Sequence, residues 1–475
     1  MAKGVRSDFF TAETRRHGAG PRSPCLRVSV VTGFAFRPGA GYTPRRMTTA
    51  PPASRPRWLR FTPFLGAAPP LTARQWQVLG LVSVATLFDQ YDRALFALAL
   101  PQIQLSLGIA EADVGWLGSI VRLGALPAFA ATVAADRIGR RKVLLATIIG
   151  YTVCTAATAL APDARTFIFF QFLAHIFTAA EMILAIVVIA EELDAEVRGW
   201  GIGALFAIQA CGVGVAALLF PLFEWLGLGW RALFAVGIVP LGVVAYWRRV
   251  LPETARFDAA RAAGLAQTPA LAPIVALVRA YPARFAAVAA VAFLFSAGGA
   301  AADFMGPKYL QDAHGWTPGR VAVLYILGGA LAIAGSTYAG RMSDRLGRRP
   351  VTVVFGVAVL SLAIAFYNAS GWWLPPLWIV LIFTLVGHDV LLASFGAELF
   401  PTSYRSTAAG ARAIVATLGG VVGLALESLL YRALGSHWEA ITLMLCGALL
   451  APLIVALAFP ETAGRTLEEI APEPR

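Results

Sequence analysis

The chain has 475 residues, of which 58% are hydrophobic and 14% are charged, and its formal net charge is +12. Soluble domains contain about 25% charged residues, so the composition excludes an ordinary soluble domain as well as a disordered or collagen-like chain. The basic residues gather in short segments between apolar runs, which is typical of the cytoplasmic loops of a membrane protein and not of a nucleic-acid-binding face. The four cysteines share no metal or disulfide spacing, and we expect no metal and no cofactor. The sequence therefore predicts a protein embedded in the lipid bilayer, with no nucleic-acid partner.

The N-terminal segment differs from the rest of the chain. Residues 1–70 are polar and rich in arginine and proline, and 13 of the 39 lysines and arginines lie before residue 76. This composition predicts a disordered basic tail. Residues 1–46 lack an apolar segment followed by a small-residue cleavage site, so we expect no signal peptide. Met47 is a candidate translation start, which would make residues 1–46 an upstream extension, and a regulatory tail is the alternative.

Apolar stretches recur from Trp76 to the end of the chain, and several of them, such as Val321–Gly340, carry no charge over 20 residues. A helix of that length crosses about 30 Å of hydrocarbon at about 1.5 Å per residue. Only helices and closed barrels span a bilayer, and these stretches are too long for barrel strands. The sequence thus predicts an all-α membrane protein with twelve transmembrane helices, at about residues 76–101, 112–134, 143–161, 166–190, 200–223, 232–248, 285–305, 321–340, 350–368, 373–395, 407–430 and 439–459.

The loops after the even-numbered spans hold most of the basic residues that follow the tail. By the positive-inside rule, this places both termini in the cytoplasm, with the spans in the plasma membrane or bacterial inner membrane. Residues 249–283 form the longest internal break and predict a cytoplasmic linker. It separates an N-terminal six-helix bundle, residues 71–248, from a C-terminal one, residues 284–461. Residues 462–475 are expected to form a cytoplasmic tail.

An internal repeat supports this division into two bundles. The segment Asp136-Arg137-Ile138-Gly139-Arg140-Arg141 recurs as Asp344-Arg345-Leu346-Gly347-Arg348-Arg349, and Pro252-Glu253-Thr254-Ala255 recurs as Pro460-Glu461-Thr462-Ala463, both at an offset of 208. The pair Glu191 and Arg198 recurs as Glu398 and Arg405 at an offset of 207. These matches indicate a duplicated six-helix unit in a parallel repeat.

With these motifs, the sequence from residue 71 to 470 resembles the major facilitator superfamily. The repeated Asp-Arg-x-Gly-Arg-Arg segment is specific for that family, and the Pro-Glu-Thr segments resemble its sugar-porter branch and the metabolite and aromatic acid:proton symporters. Thr132 departs from the pattern, since its counterpart in the second half is Gly340. The resemblance implies two six-helix bundles that rock about a midplane site, a small-molecule substrate, coupling to protons and a monomeric transporter.

Charged residues of the repeated loops predict a conformational latch at the cytoplasmic ends of the bundles. A carboxylate at a helix N-terminus accepts hydrogen bonds and complements the helix dipole for about 0.3–1 kcal/mol, and such a contact can form in one orientation of the bundles and break in the other. The alternative, in which these charges only set the topology, stays open. The predicted latch comprises Asp136, Arg137, Gly139, Arg140, Arg141, Gly340, Asp344, Arg345, Gly347, Arg348 and Arg349, extended by Glu191, Arg198, Glu398 and Arg405.

The first span carries three charges near its middle, Asp89, Asp92 and Arg93. Charges at membrane depth cost about 2.5–3.5 kcal/mol on insertion scales, so each is a functional candidate. Asp89 and Arg93 are four residues apart and can pair on one helix face, which leaves one carboxylate underpaired. Asp92 and Asp89 are therefore the first candidates for proton coupling, with a structural ion-pair cluster as the alternative. The segment also resembles the Asp-Gly-x-Asp element of aromatic-acid symporters, except that Gln90 replaces the glycine.

Further polar residues within the spans are weaker candidates. Glu181 and Asp389 could also couple protons, while Arg93, Arg122, His175, Gln209 and His388 could bind substrate. For each, a hydrogen-bonded polar residue between helices is the alternative. We expect Asp303, Lys308 and Glu427 to lie at the membrane interface. The pairs Gly199/Gly203 and Gly419/Gly423 predict close helix packing.

These features predict a secondary active transporter, with proton-coupled symport of a small organic acid, favoured as an aromatic acid, by alternating access. A sugar or polyol proton symporter is the alternative, and a drug or metabolite exporter or a non-transporting membrane sensor is less favoured. Nothing in the sequence resembles a phosphate-binding loop or a nucleophile elbow, so we expect neither ATP drive nor an enzyme.

Overall fold

The structure is a computed structural model that describes residues 68–248, 272–401, 403–465 and 467–471. Within these ranges the chain folds into α-helices joined by short turns. The predicted basic tail up to residue 67, the candidate start Met47 and residues 249–271 of the predicted linker lie outside the described residues.

The first half of the fold begins at Thr72, which caps the first helix in a reciprocal pair of hydrogen bonds with Gln75. A short 3-10 turn, Glu111–Asp113, precedes the third helix. The helices of this half are α1 (Ala73–Leu98), α2 (Leu100–Leu107), α3 (Val114–Leu123), α4 (Ala128–Ile138), α5 (Arg140–Ala159), α6 (Ala164–Glu192), α7 (Ala195–Trp225), α8 (Gly229–Val236) and α9 (Ile238–Arg248).

The second half repeats this order with longer uninterrupted helices. Its helices are α10 (Ala272–Ala280), α11 (Pro282–Lys308), α12 (Pro318–Leu346), α13 (Arg348–Tyr367), α14 (Leu374–Glu398), α15 (Arg405–Leu434), α16 (His437–Ala448), α17 (Leu450–Ala458) and α18 (Leu467–Ile470). A π-helical turn, Tyr309–Ala313, follows α11, and a 3-10 turn, Gly371–Trp373, precedes α14.

Each of the twelve predicted apolar stretches lies on one of these helices or on two consecutive ones. In the described part of the chain, ten helical segments, some of them made of two consecutive helices, are long and apolar enough to cross a membrane, and α12 contributes a shorter apolar stretch, Pro318–Ala332. The helix α1 is not among the ten and carries Asp89, Asp92 and Arg93. The all-helical membrane fold is therefore confirmed, while the count of twelve spans and the orientation of the termini stay predictions.

The two copies of the repeated loop adopt the same backbone conformation. Gly139 has φ 108° and ψ 143°, and Gly347 has φ 104° and ψ 143°. Residues with a Cβ rarely adopt a positive φ, so glycine is required at both positions. Each glycine ends one helix and starts the next, which turns the chain sharply at the same point of each half.

The buried core shows where the two halves meet. One apolar cluster includes Phe167 and Phe220 of the first half together with Met305 and Leu424 of the second. Across the same interface, the hydroxyl of Ser119 donates a hydrogen bond to the carbonyl of Val421 at 2.8 Å.

Two other clusters lie nearer the ends of the helices that the charge pattern predicts to be cytoplasmic. One contains only buried residues of the first half, such as Val143 and Leu193, and the other only residues of the second half, such as Phe395 and Phe459. In the described chain, the halves thus share a core towards the predicted outer end and have separate cores towards the predicted cytoplasmic end.

Glycines allow helices of the second half to pack closely. A Cβ on Gly419 would lie 2.5 Å from the carbonyl oxygen of Phe293, and one on Gly423 would lie 2.1 Å from that of Ala297. The expected close contact is therefore present between α15 and α11. It is absent at Gly199 and Gly203, where an added Cβ would meet no described atom within 4 Å. Small residues permit close packing, but whether a neighbour uses the space depends on the fold.

We predict that Gly423→Ala lowers the stability of the protein by about 1–3 kcal/mol, because the added methyl group overlaps the backbone of α11. The matched control is Gly410→Ala in the same helix, where an added Cβ meets no described atom within 4 Å. Thermal unfolding of both detergent-purified variants measures the difference. An unchanged melting temperature for Gly423→Ala would contradict the close approach of the two helices.

Candidate functional site

The site begins in α1, whose middle carries an ion pair. The guanidinium of Arg93 donates from Nη2 to Oδ2 of Asp89 at 3.0 Å and to its Oδ1 at 3.3 Å. The carboxylate is 3% exposed, whereas the Arg93 side chain is 52% exposed. Because α1 packs against both α7 and α11, this exposure in mid-helix indicates a solvent-accessible cavity between the halves.

Arg122 lies at a break in the second predicted span. The helix α3 ends at Leu123, and α4 starts at Ala128 after a turn through Gly124. A Cβ on Gly124 would lie 2.6 Å from the carbonyl oxygen of Phe172 and 3.3 Å from Cβ of His175, so glycine lets the turn lie against α6. On its other side, the Arg122 guanidinium packs on Gly420 of α15, where an added Cβ would lie 2.4 Å from Nε. The arginine therefore bridges the interface between the two halves.

Asp303 completes this group from the second half. It is exposed, although it lies within α11, and it interacts electrostatically with Arg93 and Arg122. The expectation that Asp303 lies at the membrane interface is therefore wrong, because the side chain faces the charges of the first half. Here these five residues, Asp89, Arg93, Arg122, His175 and Asp303, are called the central charge cluster. His175 belongs to it through its electrostatic interactions with Arg93, Asp89 and Arg122.

Asp92 faces away from this cluster, into the first half. Its Oδ2 contacts the hydroxyls of Tyr151 and Thr155, the latter at 3.1 Å. The Tyr151 hydroxyl also lies 2.9 Å from the carbonyl oxygen of Phe88. The phenol has one hydrogen and a carbonyl can only accept. If Tyr151 donates to Phe88, the contact with Asp92 needs a proton on the carboxyl group.

The surroundings of Asp92 agree with a group that can hold a proton. The residue is 8% exposed, and its Oδ1 is buried without a hydrogen-bond partner among the described residues. An ionised carboxylate loses more solvation free energy on burial than a neutral carboxyl does. The arrangement therefore permits a proton to be taken up and released at Asp92.

The second half contributes a smaller polar group around α14. His388 is 2% exposed and its ring lies 4.4 Å from the ring of Phe295, centroid to centroid. The neighbouring Asp389 is exposed and interacts electrostatically with Arg412 of α15 and with Asp303. This group thus extends the charges of the central cluster into the second half.

Two predicted residues are not part of either group. Glu181 is buried and accepts a hydrogen bond from the Thr147 hydroxyl at 2.7 Å, which joins α6 to α5. The amide of Gln209 lies 3.6 Å from the sulfur of Met182. The structure thus gives both side chains helix-joining contacts, and their roles in coupling or substrate binding stay predictions.

In the second half, Arg348 is the centre of the predicted latch. Its guanidinium contacts Asp344 at 2.7 Å and Glu398 at 3.2 Å. The carboxylate of Glu461 accepts hydrogen bonds from the backbone N–H groups of Arg348 at 2.8 Å and Arg349 at 3.1 Å, at the N-terminus of α13. Of the two acidic residues, Glu461 and not the latch residue Asp344 is the carboxylate at the helix N-terminus. Asp344 is 62% exposed.

The first half shows a corresponding pair at its own helix ends. Arg140 contacts Glu191 at 2.9 Å, which joins α5 to α6 as Arg348 joins α13 to α14. The side chains of Asp136 and Arg137 lie outside the described residues, so their part in the latch stays a prediction. The remaining predicted latch residues lie at or near these helix ends: Gly139, Arg141, Arg198, Gly340, Arg345, Gly347 and Arg405.

Two expectations about the outer helix ends are wrong. Lys308 is 2% exposed and Glu427 is 0% exposed, so neither lies at a solvated membrane interface. Lys308 donates a hydrogen bond to Oε1 of Gln104 at 2.7 Å, across the two halves. Both residues are buried because the halves close over them at this end.

Sequence reasoning missed two further residues of the site. Arg412 lies inside a predicted apolar span, so the criterion that selected Arg122 also identifies it. Tyr151 carries no such signal, because a tyrosine in an apolar helix has many structural uses. Only its contact with Asp92 marks it as part of the site.

Known proteins that are similar to this chain are membrane transporters. The family model of the Major Facilitator Superfamily matches residues 82–397 and 330–473. A protein of Cupriavidus pinatubonensis named a probable 4-methylmuconolactone transporter is 26% identical over 402 residues, covering 80% of this chain and 90% of its own. The gallate transporter of Pseudomonas putida is 28% identical over 399 residues, covering 74% and 85%. A solved D-xylose-proton symporter has the same fold, with a TM-score of 0.65 at 17% identity, over 82% of this chain and 99% of that one.

We predict that Glu461→Gln lowers stability at neutral pH by about 1 kcal/mol, because it weakens the cap on α13. Burial raises the pKa of the Glu461 carboxyl, but hydrogen bonds from four backbone N–H groups outweigh this and hold the pKa below its usual value. The stabilisation is therefore fully present above the ordinary glutamate pKa of about 4.3 and disappears as the pH falls through the lowered value.

Thermal unfolding of Glu461→Gln and the wild type across this pH range measures the effect. Glu224→Gln, at the C-terminal end of α7 where a carboxylate caps no helix, is the control. A stability difference that persists unchanged below the lowered pKa would contradict the role of the Glu461 charge.

Proposed function

Because this chain belongs to the Major Facilitator Superfamily, and is thus a multi-pass membrane transporter of solutes, we propose that it carries a small organic acid together with protons. We propose further that it works by alternating access, with the central charge cluster as the binding site. The observation that carries the proposal is the buried Asp92–Tyr151 contact, at the residue next to the exposed Arg93.

We propose twelve transmembrane helices with both termini in the cytoplasm. The ten helical segments that are long and apolar enough to cross a membrane support this, and so does α12 with its apolar stretch. The helix α1 is the twelfth, and its charges are tolerated because they face other helices and the cavity instead of lipid. The basic loops at the ends of α4 and α12 support the cytoplasmic orientation.

With both termini in the cytoplasm, the closed and the open end of the protein can be assigned to the two sides of the membrane. The shared core and the Ser119–Val421 hydrogen bond close the outer end, whereas the separate cores leave the cytoplasmic end divided. The conformation therefore corresponds to an inward-facing transporter. Rocking of the halves about the central cluster would then open the outer end and bring the cytoplasmic latches together.

The charges of the cluster favour an anionic substrate over a sugar. Arg93 is paired with Asp89, but among the described residues no carboxylate lies within 4 Å of the Arg122 guanidinium. A guanidinium binds a carboxylate with two parallel hydrogen bonds. Gallate, for which one relative is named, is an aromatic carboxylate. The ring of Phe295, which packs on the ring of His388, offers an aromatic contact for such a substrate.

We predict that Asp92→Asn abolishes proton-driven accumulation but retains exchange of substrate across the membrane. Asparagine keeps the shape and the contact with Tyr151 but cannot take up or release a proton. In proteoliposomes with an imposed membrane potential and pH gradient, the wild type should accumulate labelled benzoate tens-fold. With Asp92→Asn, the benzoate concentrations on the two sides should become equal. The control is Asp194→Asn, an exposed loop residue. Normal accumulation by Asp92→Asn would overturn the assignment of Asp92.

We predict that Arg122→Gln raises the KM for benzoate about 10–100-fold, since a charge-assisted hydrogen bond contributes about 1.5–3 kcal/mol. Uptake of labelled benzoate and of labelled xylose by the wild type is measured in parallel, with the exposed Arg165→Gln as the control variant. Transport of xylose but not benzoate would favour the sugar alternative. An unchanged KM for benzoate in Arg122→Gln would show that Arg122 does not hold the carboxylate.

A further inference from the structure

A second buried charge network lies at the outer end, where the two halves close. His437, the first residue of α16, is 5% exposed and has a carboxylate at each ring nitrogen. Its Nδ1 lies 2.5 Å from Oε1 of Glu427 in α15, and its Nε2 lies 3.0 Å from Oε2 of Glu111. Glu427 belongs to the same half as His437, whereas Glu111 belongs to the other. These three residues are called the outer triad.

The number of hydrogens in the outer triad follows from its geometry. A neutral imidazole has one N–H and one lone pair, and an ionised carboxylate can only accept. Two nitrogen–oxygen contacts at hydrogen-bond distance therefore need two hydrogens. The triad holds one proton more than a neutral histidine with two ionised glutamates, and this count is the same for either tautomer of the ring.

The charged neighbours of the triad come from several elements. Lys308 of α11 contacts Glu111 at 3.2 Å and also contacts Asp312 in the π-helical turn. The ring of Tyr431 stacks on His437 at 4.1 Å. The nearby titratable and charged groups of the same end are His314, Tyr309, Tyr367, and the Arg432–Asp113 ion pair, which joins the halves at 3.0 Å. With the triad proton bound, this end holds three carboxylates around two cations, apart from the Arg432–Asp113 pair.

Two features of the fold disfavour charges in the outer triad: the N-terminus of α16 at His437 and the burial of Glu427. The N-terminus of α16 disfavours a cation. Glu427 is fully buried, and its Oε2 has no hydrogen-bond partner among the described residues. A Cβ on Gly115 of α3 would lie 2.4 Å from this Oε2, so the first half covers the carboxylate with a glycine. While the halves are closed, the buried Glu427 carboxylate and the proton beside it therefore compensate each other, and Glu111 adds a second carboxylate from the other half.

We propose that the outer triad is a proton-binding site that controls the opening of the outer end. Opening moves Glu111 away from His437, so the proton loses one of its two carboxylates and is released to the outside. A site that binds a proton more tightly in the closed state makes that state more populated at lower pH. A single proton changes the ratio of closed to open molecules by at most about tenfold per pH unit.

This inference rests on the alternating access of the proposed function but not on its substrate or on Asp92. The test measures the distance across the outer end with spin labels on Leu105→Cys in α2 and Ala433→Cys in α15, both at exposed positions, after replacement of the native cysteines. Between pH 8 and pH 5, the short-distance population should rise with acidity in the full-length protein in lipid nanodiscs. We expect Asp92→Asn to keep this pH dependence.

The variants His437→Gln and Glu111→Gln should lose the pH dependence and populate the long distance even at pH 5. His314→Gln, which alters a histidine of the same end that contacts no described carboxylate, should retain it. The proposal is overturned if the wild type shows no pH-dependent distance, if His437→Gln responds like the wild type, or if Asp92→Asn removes the response. The last result would overturn the role of the outer triad but leave the proposed proton coupling at Asp92 intact. Failure of this inference can therefore be distinguished from failure of the proposed function.

Discussion

The cost of placing charge in an apolar interior governs how the helices of this protein pack. Several buried ionisable groups have a polar partner on another helix or on the next turn: Asp89 with Arg93, Asp92 with Tyr151, Glu181 with Thr147 and Lys308 with Gln104. Such partners offset the solvation free energy that is lost on burial. The polar contacts therefore define which helix faces meet, while the apolar residues supply most of the buried area.

Whether a polar contact lies within one half or between the halves determines whether it must break when the halves move. Bonds within one half, such as Asp92–Tyr151 and Arg348–Glu398, can persist through a cycle in which the halves rock as rigid units. Bonds between the halves, such as Lys308–Gln104 and His437–Glu111, must break when the outer end opens. The energetic balance between the two orientations thus depends on the inter-half contacts, and a proton or a substrate that binds among them can shift it.

Glycine has two distinct roles in this balance. Gly139 and Gly347 have positive φ angles and fix the turns of the two repeated loops. Gly115, Gly420 and Gly423 have helical backbones, and each brings another residue close: Glu427, Arg122 and Ala297 respectively. Two of these three contacts lie between the halves. Glycines therefore permit close contacts at the interface between the halves, which moves, as well as within one half, which does not.

The sequence by itself determined the apolar segments, the duplicated unit and the family, because these depend on the composition of each segment and on motifs a few residues long. It also identified the ion pair in α1, since Asp89 and Arg93 are one turn apart. Only the tertiary structure brought Asp303 to the arginines of the first half and enclosed His437 between two glutamates. Glu111 and His437 are 326 residues apart, and no local pattern encodes their contact. Apolar content decides locally that a segment is buried, but the packing of distant helices decides which charges meet.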